Sequence, residues 1–330
     1  MKNWSVYMGK QCIRMLLLVI AVSVVTFALM KASPIDPLQA NVGQAALGSM
    51  SQEQVEKLRE YWGVNIPPVK QYLAWAKDFI RGDMGISLLY RQPVTAVIGV
   101  KLGNSLFLMV IAWILSGILG MVLGVIAGMN RGKAVDKGIK GYCLVISSTP
   151  AFWLALLFLM IFGVWLKVLP IGLSVPIGVE ASGVTFADRV RHAVLPALTL
   201  SITGVSNIAL HTREKMIDIM ESEYVLFARA RGESGWKLFR HHGFRNVLLP
   251  AITLQFASIS EIFGGSVLVE QVFSYPGLGQ AAVSAGLGSD LPLLMAITII
   301  SSLFVFGGNL TANLLYGVID PRIRRGGAKE

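Results

Sequence analysis

Glu261 is an isolated carboxylate in the apolar run LPAITLQFASISEIFGGSVLV, with Gln255, Ser258 and Ser260 close by in sequence. It follows Pro250 by eleven residues, which is about 16 Å of helix at about 1.5 Å per residue. An ionised carboxylate at that depth of a bilayer costs about 2.5–3.5 kcal/mol on insertion scales unless a wet cavity or a partner receives it. Either Gln255, Ser258 and Glu261 line a translocation pathway, or Glu261 is a structural acid bonded to a neighbouring helix or another subunit. The rest of the chain offers little reactive chemistry. It has no HExxH metal-binding pair and no GxSxG nucleophile elbow. The stretch GMNRGKA has the wrong spacing for a phosphate-binding loop and lacks its hydroxyl. No catalytic, cofactor-binding or metal-ligating residue is expected, and this chain is not expected to hydrolyse ATP. Cys12 and Cys143 are two isolated thiols without metal-ligand spacing, and a disulfide between them is not expected. His211 reads as a packing residue rather than a ligand.

A second chemistry is cationic. Residues 223–250 read EYVLFARARGESGWKLFRHHGFRNVLLP. Helical spacing puts Tyr224, Phe227, Ala228 and Arg231 on one face, before GESG breaks the pattern. A second helix is predicted from Trp236, with Lys237, Arg240, His241 and Arg245 as a cationic stripe and Trp236, Phe239, Gly243 and Val247 opposite. Small residues, Ala228, Ala230 and Gly232, mark the bend. Such a hairpin suits insertion into a groove on another protein, or it rests on anionic headgroups.

These groups must be positioned in lipid. Of 330 residues, 54% are hydrophobic and 15% charged, too few charges for an ordinary soluble surface. The class predicted is an all-α membrane protein with about six transmembrane helices. The spans are placed at 13–31, 104–129, 141–166, 193–213, 248–269 and 291–318, each near the ~20 residues a helix needs to cross hydrocarbon. Lys and Arg set the orientation: 18 of the 29 fall in the N-terminus, the 131–140 loop, the 213–245 loop and the C-terminal tail. Both termini are therefore predicted to be cytoplasmic. The net charge of +10 reads as a topology signal and an attraction to membrane lipid, with no nucleic acid implied. The first span lacks a well-formed cleavage site and is expected to be a retained helix.

The divisions that follow are an N-terminal span (1–32), an extracytoplasmic segment (33–103), a core (104–320) containing a cytoplasmic loop (214–247), and a tail (321–330). In the extracytoplasmic segment, SQEQVEKLREYWGV predicts a helix capped by Ser51, and VKQYLAWAKDFIRGDMG predicts another with Tyr72, Trp75, Phe79 and Ile80 on one stripe. Both should lie on or near the outer membrane surface. Gly117, Gly120, Gly124 and Gly128 predict close helix packing. Pro150 predicts a kink, with Ser147, Ser148 and Thr149 satisfying the freed carbonyls. Asn309 and Asn313 predict interhelical hydrogen bonding. QVFSYPGLGQ predicts a turn with aromatic anchors at the outer interface.

Several motifs in order carry a resemblance: SPIDP after the first span, RGDMGISLLYRQPV before the second, STPAFWL in the third, ARARG then RNVLLPAIT around the cationic hairpin, VEQVFSYPGLGQ after the fifth span and DPRIR at the end. Over nearly its whole length the chain resembles the permease subunits of the peptide/nickel group of ABC importers. It departs from the general importer loop in having Leu226, Phe227 and Ala228 where Glu-Ala-Ala is usual. The resemblance implies a type I ABC-importer-like transmembrane domain in the inner membrane of a prokaryote. It implies that Tyr224, Phe227, Ala228, Ala230, Arg231, Gly232, Lys237 and Arg240 form an ATPase-coupling loop. Glu270, Phe273, Tyr275, Pro276, Gly277 and Asp290 would belong to an outer gate. The implied partners are a second homologous permease subunit, giving a heterodimer, two cytoplasmic ABC ATPase subunits that use the ATP, and an extracytoplasmic substrate-binding protein. The implied cargo is a short peptide or a nickel or other metal chelate. Glu261 lies outside the group's pattern and suits a cationic or metal-bearing cargo. The competing class is a self-sufficient secondary transporter, which would normally show internal repeats that this chain does not display.

Overall fold

The computed structural model describes residues 2–63, 66–179 and 183–319. In chain order the helices are α1 (Lys2–Ala32), α2 (Pro37–Val42), α3 (Gln44–Ser49), α4 (Gln52–Tyr61), α5 (Pro68–Ile80), α6 (Val94–Met129), α7 (Ala134–Ser147), α8 (Ala151–Phe158), α9 (Phe186–Met220), α10 (Glu223–Ala230), α11 (Gly235–Leu238), α12 (Phe244–Ala257), α13 (Ile259–Val272), α14 (Leu278–Leu287) and α15 (Leu291–Ile319). Wide π turns follow α8 at Leu159–Trp165 and α11 at Phe239–Gly243.

Four helices are long and apolar enough to cross a membrane: Gly9–Ala32 of α1, α6, α9, and Leu291–Ala312 of α15. Two bent pairs complete six if each is one span. Ala134–Ser147 with Ala151–Trp165 bends by 103°, and Gly235–Ala257 with Ile259–Val272 by 47°. The six predicted spans thus correspond to helices, several of them longer than predicted. α6 begins ten residues before Asn104, and α9 starts seven residues before Ala193, because a span's apolar length does not mark where its helix ends. The bend at Pro150 is sharper than a kink. Its hydroxyls behave as expected: Ser147 and Ser148 donate to the Leu144 carbonyl and Thr149 to that of Val145. The DPRIR stretch and the tail lie outside the described residues, as does the side chain of Asn313.

The chain divides into two compact units: Met1–Ser105 with Pro276–Phe306, and Leu106–Tyr275 with Gly307–Glu330. In the first unit, α4 begins with a capping box in which Ser51 Oγ accepts from Gln54 N and Gln54 Oε1 from Ser51 N. On α5, Tyr72, Trp75 and Phe79 stack in series with ring centroids 5.9 and 5.2 Å apart. Tyr72 reaches α1, where its hydroxyl lies 2.8 Å from Ser23 Oγ and its ring packs on Phe27. Ile80 leaves the stripe and is exposed, because eight residues from Tyr72 the helix has turned about 80° past two full turns.

In the second unit, the glycines of α6 face α9. A Cβ on Gly120 would stand 2.7 Å from Ile208 Cβ, on Gly124 2.5 Å from Thr212 Cβ, and on Gly128 2.6 Å from Met216 Cβ. Each glycine is therefore required for room, and the two backbones lie in direct contact. α7 is tied to α9 by a buried pair that the sequence reading did not anticipate. Arg213 Nε and Nη2 donate to the two Asp136 oxygens at 2.5 and 2.9 Å, and Gly132 N adds a third bond. On α13, Ser260 Oγ donates to Asn309 Oδ1 of α15 at 3.0 Å, which realises the interhelical bond predicted for Asn309. Both cysteines are free thiols.

Candidate functional site

The cationic hairpin is built onto the end of α9. Met216, Ile219 and Met220 of that helix form one buried cluster with Val225 and Ala228 of α10, Leu238, Phe239 and Val247, backed by Val125, Met121 and Met129 of α6. Burying a side chain the size of Val, Leu or Phe contributes about 1.5–3 kcal/mol. Val225, Leu238, Phe239 and Val247 are four such anchors, and they fix the hairpin to α9 and α6.

Its outer face is different. α10 points Val225 and Ala228 inward and leaves Tyr224 and Phe227 exposed, Phe227 by 66%. The helix ends at Arg231, and Gly232 turns the chain at φ +90°, with Glu233 N donating back to the Ala228 carbonyl at 3.1 Å. A Cβ on Gly232 would meet nothing within 4 Å. Conformation, not space, demands glycine there.

The returning strand of the hairpin is not the single regular helix the spacing predicts. The π turn at Phe239–Gly243 widens it and lets Leu238, Phe239, Gly243 and Val247 all point inward. Trp236, predicted on the same side as Phe239, is 68% exposed, with its ring tilted against that of Phe239 at 4.8 Å between centroids. Lys237, Arg240, His241 and Arg245 remain exposed as a cationic group.

Glu233 links the two limbs. One carboxylate oxygen lies 3.4 Å from both His241 Nδ1 and His242 Nε2. Partial burial raises its pKa, but the hydrogen bond to His241 and the positive charge of His242, His241 and Lys237 outweigh that and hold the carboxyl below its ordinary range. Tyr224 Oη accepts a 3.3 Å bond from Asn246 Nδ2. Glu223, Tyr224, Phe227, Ala228, Arg231, Glu233 and His242 line an open depression of about 600 Å³. Of the residues predicted for coupling, Tyr224, Phe227, Ala228 and Arg231 meet there. Gly232 forms the turn, and Ala230, Lys237 and Arg240 are exposed beside it. The His pair on Glu233 was missed by the sequence reading, although a lone acid eight and nine residues before a His-His dipeptide is visible in it. Nothing in this arrangement activates a nucleophile. It presents aromatic and cationic groups on a firmly anchored base.

The three residues predicted for a pathway separate. Gln255 is buried and clasps α6: its Nε2 donates to the Trp113 carbonyl, Trp113 Nε1 donates to the Gln255 carbonyl at 2.7 Å, and its amide fills the space left by Gly117. Ser258 is buried too, and donates to the Gln255 carbonyl at the break between α12 and α13. Glu261 alone is exposed, on an open stripe of α13 with Gly264, Leu268 and Gln271.

The predicted outer-gate residues are mostly buried. Phe273 and Tyr275 belong to a core with Leu108, Leu195 and Leu200 rather than to an interface. The turn is drawn inward because Leu173 N donates to the Phe273 carbonyl, which Gly172 approaches so closely that a Cβ would stand 2.2 Å away. Burial, followed by the charge of Glu270, raises the Tyr275 hydroxyl to about 12 although Arg189 opposes it. Glu270 is itself fully buried. In the other unit Asp290 is buried and accepts from Ser87 Oγ at 2.5 Å, Leu89 N at 3.0 Å and Leu293 N at 3.2 Å, locking the 85–93 loop. Pro276 accepts from Asn104, and Gly277 precedes α14.

Among the described residues no group of three or more His, Cys, Asp or Glu is placed to hold a metal. Residues 120–325 match the family model described as "Binding-protein-dependent transport system inner membrane component". Residues 6–98 match "Binding-prot-dependent transport system membrane comp, N-term". The chain is 34% identical to the oligopeptide transport system permease protein AppB of Bacillus subtilis, covering 97% of this chain and 99% of that one. It is 32% identical to a putative peptide transport system permease protein of Brucella abortus, covering 92% and 94%. Against the probable D,D-dipeptide transport system permease protein DdpB of Escherichia coli it is 31% identical with both chains covered in full.

Proposed function

Because this chain belongs to the family of binding-protein-dependent transport system inner membrane components, a multi-pass permease component of an ABC importer and not an enzyme, we propose that it carries short peptides inward and is driven by ATP hydrolysed on separate subunits. The peptide cargo is supported by the names of its relatives, which are permeases of oligopeptide, peptide and D,D-dipeptide systems. The observation that carries the coupling is the hairpin of 222–247. It offers Tyr224, Phe227 and Arg231 to the cytoplasm while Val225, Ala228, Leu238 and Phe239 lock the same piece onto α9 and α6.

In this reading an ATPase subunit grips the exposed face, and its closure moves α9 through the buried anchors. The full assembly has a second homologous permease, two ATPases and an extracytoplasmic binding protein. Glu261 faces the pathway, while Gln255 and Ser258 hold the broken span that presents it. Glu270, Phe273 and Tyr275 stiffen the outer end of α13 from within, and Asp290 holds the 85–93 loop.

Reconstitution tests this. Proteoliposomes holding the permease pair and ATPases, supplied with binding protein and a labelled peptide, should accumulate peptide only with ATP. Accumulation by this chain alone under an ion gradient would instead establish a secondary transporter.

A further inference from the structure

α5 carries two apolar stripes, and the packing of its own unit uses only one. Tyr72, Trp75 and Phe79 form the inner one. Val69, Leu73 and Ile80 form the other, exposed by 72%, 60% and 85%. At about 100° per residue these three fall within a sector of about 40°. Lys70 and Lys77 stand beside that sector, while Ala74 and Asp78 lie on the far side and are exposed.

The level of this helix is set by its contact with α1. Tyr72 touches Ser23 and Phe27, and both belong to the apolar span Gly9–Ala32. With the N-terminus cytoplasmic, Ala32 is the outer end. Phe27 and Ser23 then lie roughly 7 and 14 Å inside that end at about 1.5 Å per residue. A hydroxyl at that level cannot belong to a helix held in bulk water above the membrane. The Phe27 contact falls at the depth where amphipathic helices rest, with the apolar face some 5–10 Å into the headgroup boundary and lysines reaching back to the phosphates, and the Tyr72 hydroxyl reaches about one helical turn deeper to Ser23.

We propose that α5 is an interfacial helix, with Val69, Leu73 and Ile80 inserted among the acyl chains of the outer leaflet and Lys70 and Lys77 on lipid phosphate. Lipid is the occupant because α5 is held against a membrane span whose own Leu16, Leu17, Val24 and Leu29 are exposed, and because its flanking charges suit phosphate. The inference rests on α1 being a span and not on the identity of the cargo.

The test uses the full chain in its permease pair, in liposomes of phosphatidylethanolamine and phosphatidylglycerol. Leu73→Cys, Ile80→Cys and Ala74→Cys are made one at a time in a Cys12→Ser background and labelled with a small fluorophore. Labels at 73 and 80 should be quenched severalfold more by lipids brominated near the headgroup end of the acyl chain than by aqueous iodide. The label at 74 should show the reverse order. Equal iodide quenching at 73, 80 and 74 would overturn the proposal. So would protection at 73 and 80 that develops only when the extracytoplasmic binding protein is added, since the stripe would then be a protein-docking face.

Discussion

Gly232→Val isolates the turn proposed for coupling from the fold that carries it. Gly232 sits at φ +90° with open space around its missing Cβ, so the Cβ of valine would meet no neighbour and the cost is chiefly conformational. Holding a non-glycine residue in a sparsely populated backbone region costs about 1–3 kcal/mol. The anchors beneath, Val225, Leu238 and Phe239, are each worth about 1.5–3 kcal/mol and together exceed that strain. The hairpin should therefore remain attached while its turn relaxes to another shape. If the strain is taken from docking, affinity for the ATPase falls about 5- to 150-fold. The variant should reach normal abundance in the membrane, yet lose most co-purified ATPase and most ATP-dependent uptake. Gly232→Asn, whose side chain tolerates positive φ better, should retain more of both. Uptake by Gly232→Val equal to the parent would refute the reasoning. A loss of membrane abundance matching the loss of uptake would also defeat it, by showing that the turn serves folding.

Three further outcomes are expected. Gly124→Ala puts a methyl 2.5 Å from Thr212 Cβ and should destabilise the purified protein by about 1–3 kcal/mol, whereas Gly103→Ala on the same helix meets nothing within 4 Å and should leave thermal unfolding in detergent unchanged or raise it slightly, since alanine favours helix over glycine. Asp136→Asn removes the buried carboxylate from the Arg213 guanidinium and leaves only the exposed Glu214 as its counter-charge; it should cost less than the about 3–5 kcal/mol of a fully unpaired buried charge but still lower the melting temperature, and an unshifted melt would show that the pair is not structural. Glu261→Gln should reduce uptake at unchanged abundance, and a fall in abundance that precedes any transport defect would return Glu261 to the structural role.

Where residue type alone determines placement, the sequence was readable. The glycines of α6, the hydroxyls before Pro150 and the Ser51 cap each act through their own local chemistry, and each does in the structure what its spacing predicts. What could not be read depends on partners distant along the chain. Gln255 and Trp113 exchange two bonds across 142 positions, so polarity alone could not separate a helix clasp from a pathway group. Phe273 and Tyr275 look like interface aromatics until the loop at Gly172 is seen pinning their backbone inward. The π turn at 239–243 is equally hidden, since a regular helical count carries Trp236 to the wrong side and leaves His241 and His242 unconnected to Glu233.

The α6 glycines have a mechanical consequence. With main chains touching from Gly120 to Gly128, α6 and α9 cannot slide or roll separately without collision. If the hairpin is pulled as proposed, the force is delivered to both rods at once, and the element that changes angle would lie elsewhere, at breaks such as Pro150 or Ser258.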